Sequence, residues 1–184
     1  ERTLIGLFSN PFYKDLIPIL LGEWKHTISA FLFHPIPQIT AKLEENFARM
    51  NTLHYIAIQV RRLDGVFSEE VTDKVVLNMF GCAKYWAHND TVFWLTADTL
   101  PTRTLAQDFF GEKVFWGNFK PSHSAKNRKM DDFEGTVIDW WMIVNANMSI
   151  LTPASSFGFT AADRGGKERF LCGGADQCTD PTKP

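Results

Sequence analysis

Three short stretches of the sequence carry side chains able to hold an anion or a polar ring. Arg61 and Arg62 stand together at the end of an apolar run, residues 53–60 (Leu-His-Tyr-Ile-Ala-Ile-Gln-Val). A guanidinium is charged at every accessible pH, and its planar fork of donors suits a phosphate. Successive residues of a strand point to opposite sides, so at most one of the two arginines can aim at a given ligand atom. The other is expected to pair with an acid or to face a helix layer, and a purely structural ion pair, for instance with Asp64 or Glu69, stays open. The second stretch, Ala154-Ser155-Ser156-Phe157-Gly158, sits where a strand turns into a helix. Hydroxyls and free N–H groups at a helix start make an anion site that the helix dipole strengthens, though Ser155 or Ser156 could equally be an ordinary N-cap. Asp139, third, lies among large apolar neighbours in Thr136-Val137-Ile138-Asp139-Trp140-Trp141-Met142. A carboxylate there can accept two hydrogen bonds from a base edge such as that of guanine, or it can be a solvent-facing acid on an amphipathic helix.

Other chemistries find less support. There is no Gly-x-Gly-x-x-Gly and no Gly-x-x-x-x-Gly-Lys-Ser/Thr, which removes the standard dinucleotide and P-loop readings. Gly-x-Ser-x-Gly is also missing, and the five histidines have no motif context, so a hydrolase triad is not expected. Cys172 and Cys178 flank a Gly-rich spacing that could close a small disulfide loop; no further Cys or His follows to complete a zinc site. Cys82, in an apolar helix-like stretch, reads as a buried thiol. Lys120, Lys126, Arg128 and Lys129 read as an exposed loop rather than a phosphate lid. Asp64 and Asp98 lie near strand ends and are conceivable general bases.

The elements that must position these residues follow from periodicity. Residues 1–50 read as a helical N-terminal segment punctuated by prolines, and 51–184 as the main domain. Residues 53–60, 91–96, 113–116 and 149–152 read as strands, the first a buried parallel one. Between them, 68–88 with Ser68 as N-cap, 102–110, 135–147 and, last, 155–164 read as helices. Strand and helix in alternation predict an α/β, Rossmann-like doubly wound fold with a mostly parallel sheet. Ligands of such sheets bind outside the carboxyl ends of the strands, which is where Gln59, Arg61, Arg62, Asp98 and Ser155 fall.

Composition narrows the classes further. With 184 residues, 45% of them hydrophobic and 14% aromatic, the chain can build one domain's core. A formal charge of −2, from 19 basic against 21 acidic residues, argues against gripping nucleic acid or an anionic membrane through the overall field. The chain starts at Glu1 without an initiator Met or a targeting segment and is expected to be a mature or trimmed piece of something longer. The sequons Asn89-Asp90-Thr91 and Asn147-Met148-Ser149 fit a secreted chain.

Taken in order, Leu32-Phe33-His34-Pro35, Ile56-Ala57-Ile58-Gln59-Val60-Arg61, Asp139, Ser155-Ser156-Phe157-Gly158-Phe159 and Arg164-Gly165-Gly166 resemble the donor-binding half of plant-type xyloglucan fucosyltransferases. More distantly, Gln59-Val60-Arg61-Arg62 resembles the His-Val-Arg-Arg element of α-1,6-fucosyltransferases and the bacterial nodulation fucosyltransferases. The resemblance implies one half of a GT-B architecture that binds GDP-fucose without a metal or other cofactor and transfers fucose, with inversion, to a glycan acceptor. It implies a catalytic Arg61 holding the β-phosphate, Asp139 at the guanine, and Ser155, Ser156 and Phe157 against phosphate or ribose. Gln59 stands where the α-1,6 enzymes have a base-reading His, and Arg62 has a counterpart in that branch. It further implies a Cys172–Cys178 disulfide, the Golgi lumen as location, and an acceptor-binding lobe absent from this chain. Two other classes remain: a GDP-sugar or carbohydrate-binding module without catalysis, and an unrelated Rossmann-like domain that binds a protein partner.

Overall fold

The computed structural model describes residues 34–62, 71–120, 130–153, 155–174 and 177–179. Two compact units divide the chain, Glu1–His34 and Pro35–Pro184, and all described residues except His34 belong to the second. In order, its elements are α1 (Pro37–Met50), β1 (Tyr55–Val60), α2 (Asp73–Trp86), β2 (Val92–Ala97) and α3 (Leu100–Phe110), then β3 (Val114–Phe115), α4 (Met130–Asn145), β4 (Met148–Leu151), α5 (Ser156–Gly165), β5 (Glu168–Gly174) and β6 (Gln177–Thr179). The sheet runs β3-β2-β1-β4-β5-β6. Strands β1 to β5 are parallel and β6 is antiparallel to β5. The expected α/β Rossmann-like fold is therefore the observed one.

Local chemistry explains the boundaries. Pro37 starts α1, where its missing N–H costs nothing, and Asn51 ends it in the left-handed conformation at φ 51°. Helix α2 starts at Asp73, later than expected: Thr72 is the N-cap, its hydroxyl accepting the Val75 N–H at 3.4 Å, while Asp73 faces the helix dipole. Ser68, the expected cap, lies outside the described residues, as does most of the basic loop, residues 121–129. Strands β5 and β6 carry no clear sequence signal, because β5 opens on Glu168-Arg169 and ends in Gly173-Gly174.

Every residue of β1 is buried, as a central parallel strand covered on both faces must be. Ile56, Ile58 and Val60 face one side with Phe93 and Leu95 of β2, packing on Val76, Met79 and Phe80 of α2 and Ala106 of α3. Tyr55 and Ala57 face the other side with Trp94, against Leu43 of α1, Met142 of α4 and Ala161 of α5. Helix α1, expected within the N-terminal segment, thus shares the core of the sheet. The Tyr55 hydroxyl donates to the Met142 carbonyl at 2.6 Å, and burial pushes its pKa up. Among the described residues no helix is long and apolar enough to cross a membrane.

The cysteines correct two expectations. Cys172 is a free thiol, 2% exposed, within the core cluster on the α2 side, so the implied bridge to Cys178 is not formed. Desolvation pushes its pKa up to about 12, which makes it inert rather than reactive. Cys82, read as a buried thiol, is instead disulfide-bonded.

Helices α4 and α5 touch where Gly165 lies on the Val144 carbonyl, and a Cβ at Gly165 would press into that backbone oxygen. Neither backbone can yield without moving a helix. We expect Gly165→Ala to lower the unfolding free energy by about 2 kcal/mol, the usual cost of overpacking; an unchanged denaturation midpoint would show that the helices slide apart freely.

Candidate functional site

A cleft opens outside the carboxyl ends of β1 and β2, closed on one side by α4 and the start of α5. This is the topological switch point of the sheet, since β2 and β4 flank β1 and the chain leaves β1 toward one and reaches the other from a later crossover. From the end of β1 and just beyond it come Gln59 and Arg61; from the end of β2 and just beyond it, Thr96 and Asp98; from α4, Thr136 and Asp139; Phe119 and Phe157 complete the walls.

The alternation of β1 sorts the two arginines. Gln59 follows Tyr55 and Ala57 toward α4 and α5, and Arg61 continues on that side into the cleft. Arg62 turns the other way: its Nη2 lies 2.6 Å from Asp73 Oδ1 at the start of α2, and it is not among the residues that line the cleft. Asp73 is thus an acid that pairs with Arg62, while Asp64 and Glu69, the acids suggested by the sequence, lie outside the described residues. Gln59 is 3% exposed and its Oε1 has no hydrogen-bond partner among the described residues. A Cβ at Gly158 would lie 2.9 Å from that oxygen, so the glycine of the α5 start is what leaves room for the Gln59 amide.

Asp139 is not solvent-facing. It is 6% exposed and accepts the indole N–H of Trp94 at 3.0 Å. Burial raises its pKa to about 7, against the opposing pull of that hydrogen bond, of the Arg103 charge and of the Thr96 hydroxyl. Arg103, also buried, donates from Nη1 to the Phe119 carbonyl at 2.7 Å and faces the rings of Trp116 and Phe119. Desolvation lowers its pKa, and Asp139 pulls it back up. Burial and the Arg103 charge therefore act on the Asp139 carboxyl in opposite directions, and burial prevails.

At the start of α5, Ser155 occupies the N-cap position, yet its side chain makes no cap hydrogen bond. It is 1% exposed, with an Oγ that has no partner among the described residues. Ser156 is exposed in the first turn, and of the three candidates here only Phe157 lines the cleft. The first N–H groups of this ten-residue helix have no intrahelical acceptor. The sequence reading missed Trp94 and Arg103, whose part in the site comes from tertiary burial alone. Among the described residues no three His, Cys, Asp or Glu side chains gather to hold a metal ion.

No family model and no curated protein sequence matches this chain. Solved structures do resemble it. A mutant of FUT1 from Arabidopsis thaliana in complex with GDP superposes with a TM-score of 0.63 at 15% identity, covering 90% of this chain and 40% of the other. The α-1,6-fucosyltransferase NodZ soaked with GDP-fucose gives 0.55 at 18% identity, covering 74% of this chain and 44% of the other. Fucosyltransferase NodZ from Bradyrhizobium gives 0.56 at 15% identity, with 78% and 47% covered. The chain therefore has the Rossmann-like fold found in these enzymes and spans less than half the length of each.

The raised pKa of Asp139 fixes the sign of a pH effect. Below 3.8 the carboxyl is neutral whether the chain is folded or not; between there and about 7 the unfolded chain ionises while the folded one holds the proton, so stability falls as pH rises, and above that window the loss is complete. Denaturation at pH 5 and pH 8 should show the parent losing more stability than Asp139→Asn does, by an amount on the order of a few kcal/mol. Equal losses in the two proteins would mean that Asp139 ionises as freely folded as unfolded.

Proposed function

We propose that this chain is the donor-binding half of a fucosyltransferase, which holds GDP-fucose in the cleft at the end of β1 and serves inverting transfer of fucose to a glycan hydroxyl. The observation that supports this most is the convergence of Arg61, Gln59 and Asp139 on one cleft in a fold shared with fucosyltransferases crystallised with GDP or GDP-fucose. On this reading Asp139 accepts the N–H groups of guanine, Gln59 offers its unpartnered carbonyl to the nucleoside, and Phe157 packs against it. Ser155, Ser156 and the free amides of α5 approach the phosphates or ribose. Arg62 serves structure, through Asp73, rather than the ligand.

The chemistry follows from charge. Breaking the bond between the anomeric carbon and the β-phosphate oxygen leaves negative charge on GDP and an oxocarbenium-like sugar, and an acceptor hydroxyl attacks from the opposite face. Arg61 is charged before the reaction starts and is fixed at the strand end, so it stabilises charge that grows mainly in the transition state. The nucleotide-binding role asks for no metal, since Arg61 and the helix amides supply the positive potential. On this reading the acceptor is bound by a further lobe of the enzyme, and Asp98, which lines the cleft, is the conceivable general base among the described residues. The exposed sequon asparagines, Asn89 and Asn147, accord with a place in the secretory pathway, the Golgi lumen being the compartment of glycan fucosylation.

Because the chain spans only 40–47% of the enzymes it resembles, a GDP-sugar-binding module without transfer is the second reading. Calorimetry separates these from an unrelated interaction domain. GDP and GDP-fucose should bind in EDTA, with UDP and ADP much weaker, and Arg61→Ala should weaken GDP with the fold intact. Where transfer is measurable in a chain carrying both lobes, Arg61→Ala should cost about 10²–10³ in rate. Binding of GDP without any transfer picks out the module; no heat with any nucleotide removes both readings.

A further inference from the structure

The hydrogen bonds of the β1 ladder stop at its last residues, where Val60 sits opposite Ala97 and Gln59 opposite Leu151. Beyond that point the N–H groups of Arg61 and Arg62 have no strand to pair with, and a chain leaving a sheet there would ordinarily fray. Instead the side chains of the residues that directly follow the two flanking strands take over. On the β4 side, the Thr152 hydroxyl oxygen accepts the Arg61 N–H at 3.1 Å and donates its own proton to the Gln59 carbonyl at 2.9 Å. The Thr152 N–H donates to that same carbonyl at 3.0 Å. On the β2 side, the Asp98 carboxylate accepts the Arg62 N–H, at 3.1 Å to Oδ1 and 3.0 Å to Oδ2. Thr152 is 6% exposed, so both hydrogen bonds of its hydroxyl are shielded from solvent.

We propose that Thr152 and Asp98 are positioning residues for Arg61: from opposite sides they pin the two peptide units that follow β1, and so fix where the Arg61 guanidinium enters the cleft. The proposal rests on the reading of Arg61 as the phosphate-holding group. Neither side chain needs to touch the donor through this role. The Thr152 hydroxyl works as donor and acceptor together, which a methyl group of the same shape cannot do. Serine can, because it keeps the hydroxyl on the same carbon.

The test compares GDP affinity by calorimetry in the parent, Thr152→Val and Thr152→Ser, together with amide hydrogen exchange at Arg61 and Arg62 in the free proteins. Thr152→Val should raise the Kd for GDP about tenfold, the worth of one hydrogen bond, and speed exchange at the Arg61 amide, with the melting transition still cooperative. Thr152→Ser should restore both affinity and protection, which a loss of packing at the missing methyl would not. Parent-like affinity and exchange in Thr152→Val overturn the positioning role and leave the proposed function standing. Absence of GDP binding by the parent removes the proposed function, and the positioning role with it. Should Thr152→Val not fold, Asp98→Asn, which keeps one acceptor oxygen for the Arg62 amide, against Asp98→Ala makes the same comparison on the other side of the clamp, with exchange at the Arg62 amide as the readout.

Discussion

Strand β1 is buried along its whole length and bonded on both edges, so its side chains have two directions and no others. That constraint decides the site. With Ile56, Ile58 and Val60 committed to the α2 side of the sheet, Gln59 and Arg61 must follow Tyr55 and Ala57 to the side of α4 and α5, and Arg62 must return toward α2. A slip of one residue would exchange the two arginines and bury Gln59 among the aliphatic side chains beneath α2. The cleft is the consequence of an apolar strand stopping where two polar residues begin.

The second dependence is the burial of Asp139. A carboxylate at 6% exposure is costly unless hydrogen-bonded or paired, and here one indole N–H and a neighbouring arginine offset only part of that cost, which is why its pKa stays high. Such incompletely satisfied groups are what a ligand can complete. The unpartnered Gln59 Oε1 and Ser155 Oγ are of the same kind, and all three lie at the carboxyl side of the sheet, where α/β proteins bind their ligands.

Much of this was legible in the residues, and for identifiable reasons. The runs Ile-Ala-Ile and Phe-Trp-Leu in β1 and β2 are apolar enough to require two covered faces, and the alternation rule already separated Arg61 from Arg62. What the sequence hides are the contacts closed by the tertiary fold. Asp73 as the partner of Arg62 depends on how the chain crosses from β1 to α2. Arg103 resembles any helix arginine until Trp116 and Phe119 cover it. Thr152 stands out only as a polar residue after a strand, and its two hydrogen bonds need the register of β1 against β4. The spacing of Cys172 and Cys178 suggested a local loop, whereas β5 carries Cys172 into the core.

The central claim is that this cleft takes a guanosine diphosphate with its phosphates at Arg61. A crystal structure of the chain grown with GDP tests it most directly. The account predicts the β-phosphate within hydrogen-bond distance of the Arg61 guanidinium and the guanine edge against the Asp139 carboxylate. GDP bound elsewhere on the molecule, or in the cleft with its phosphates turned away from Arg61, would contradict it.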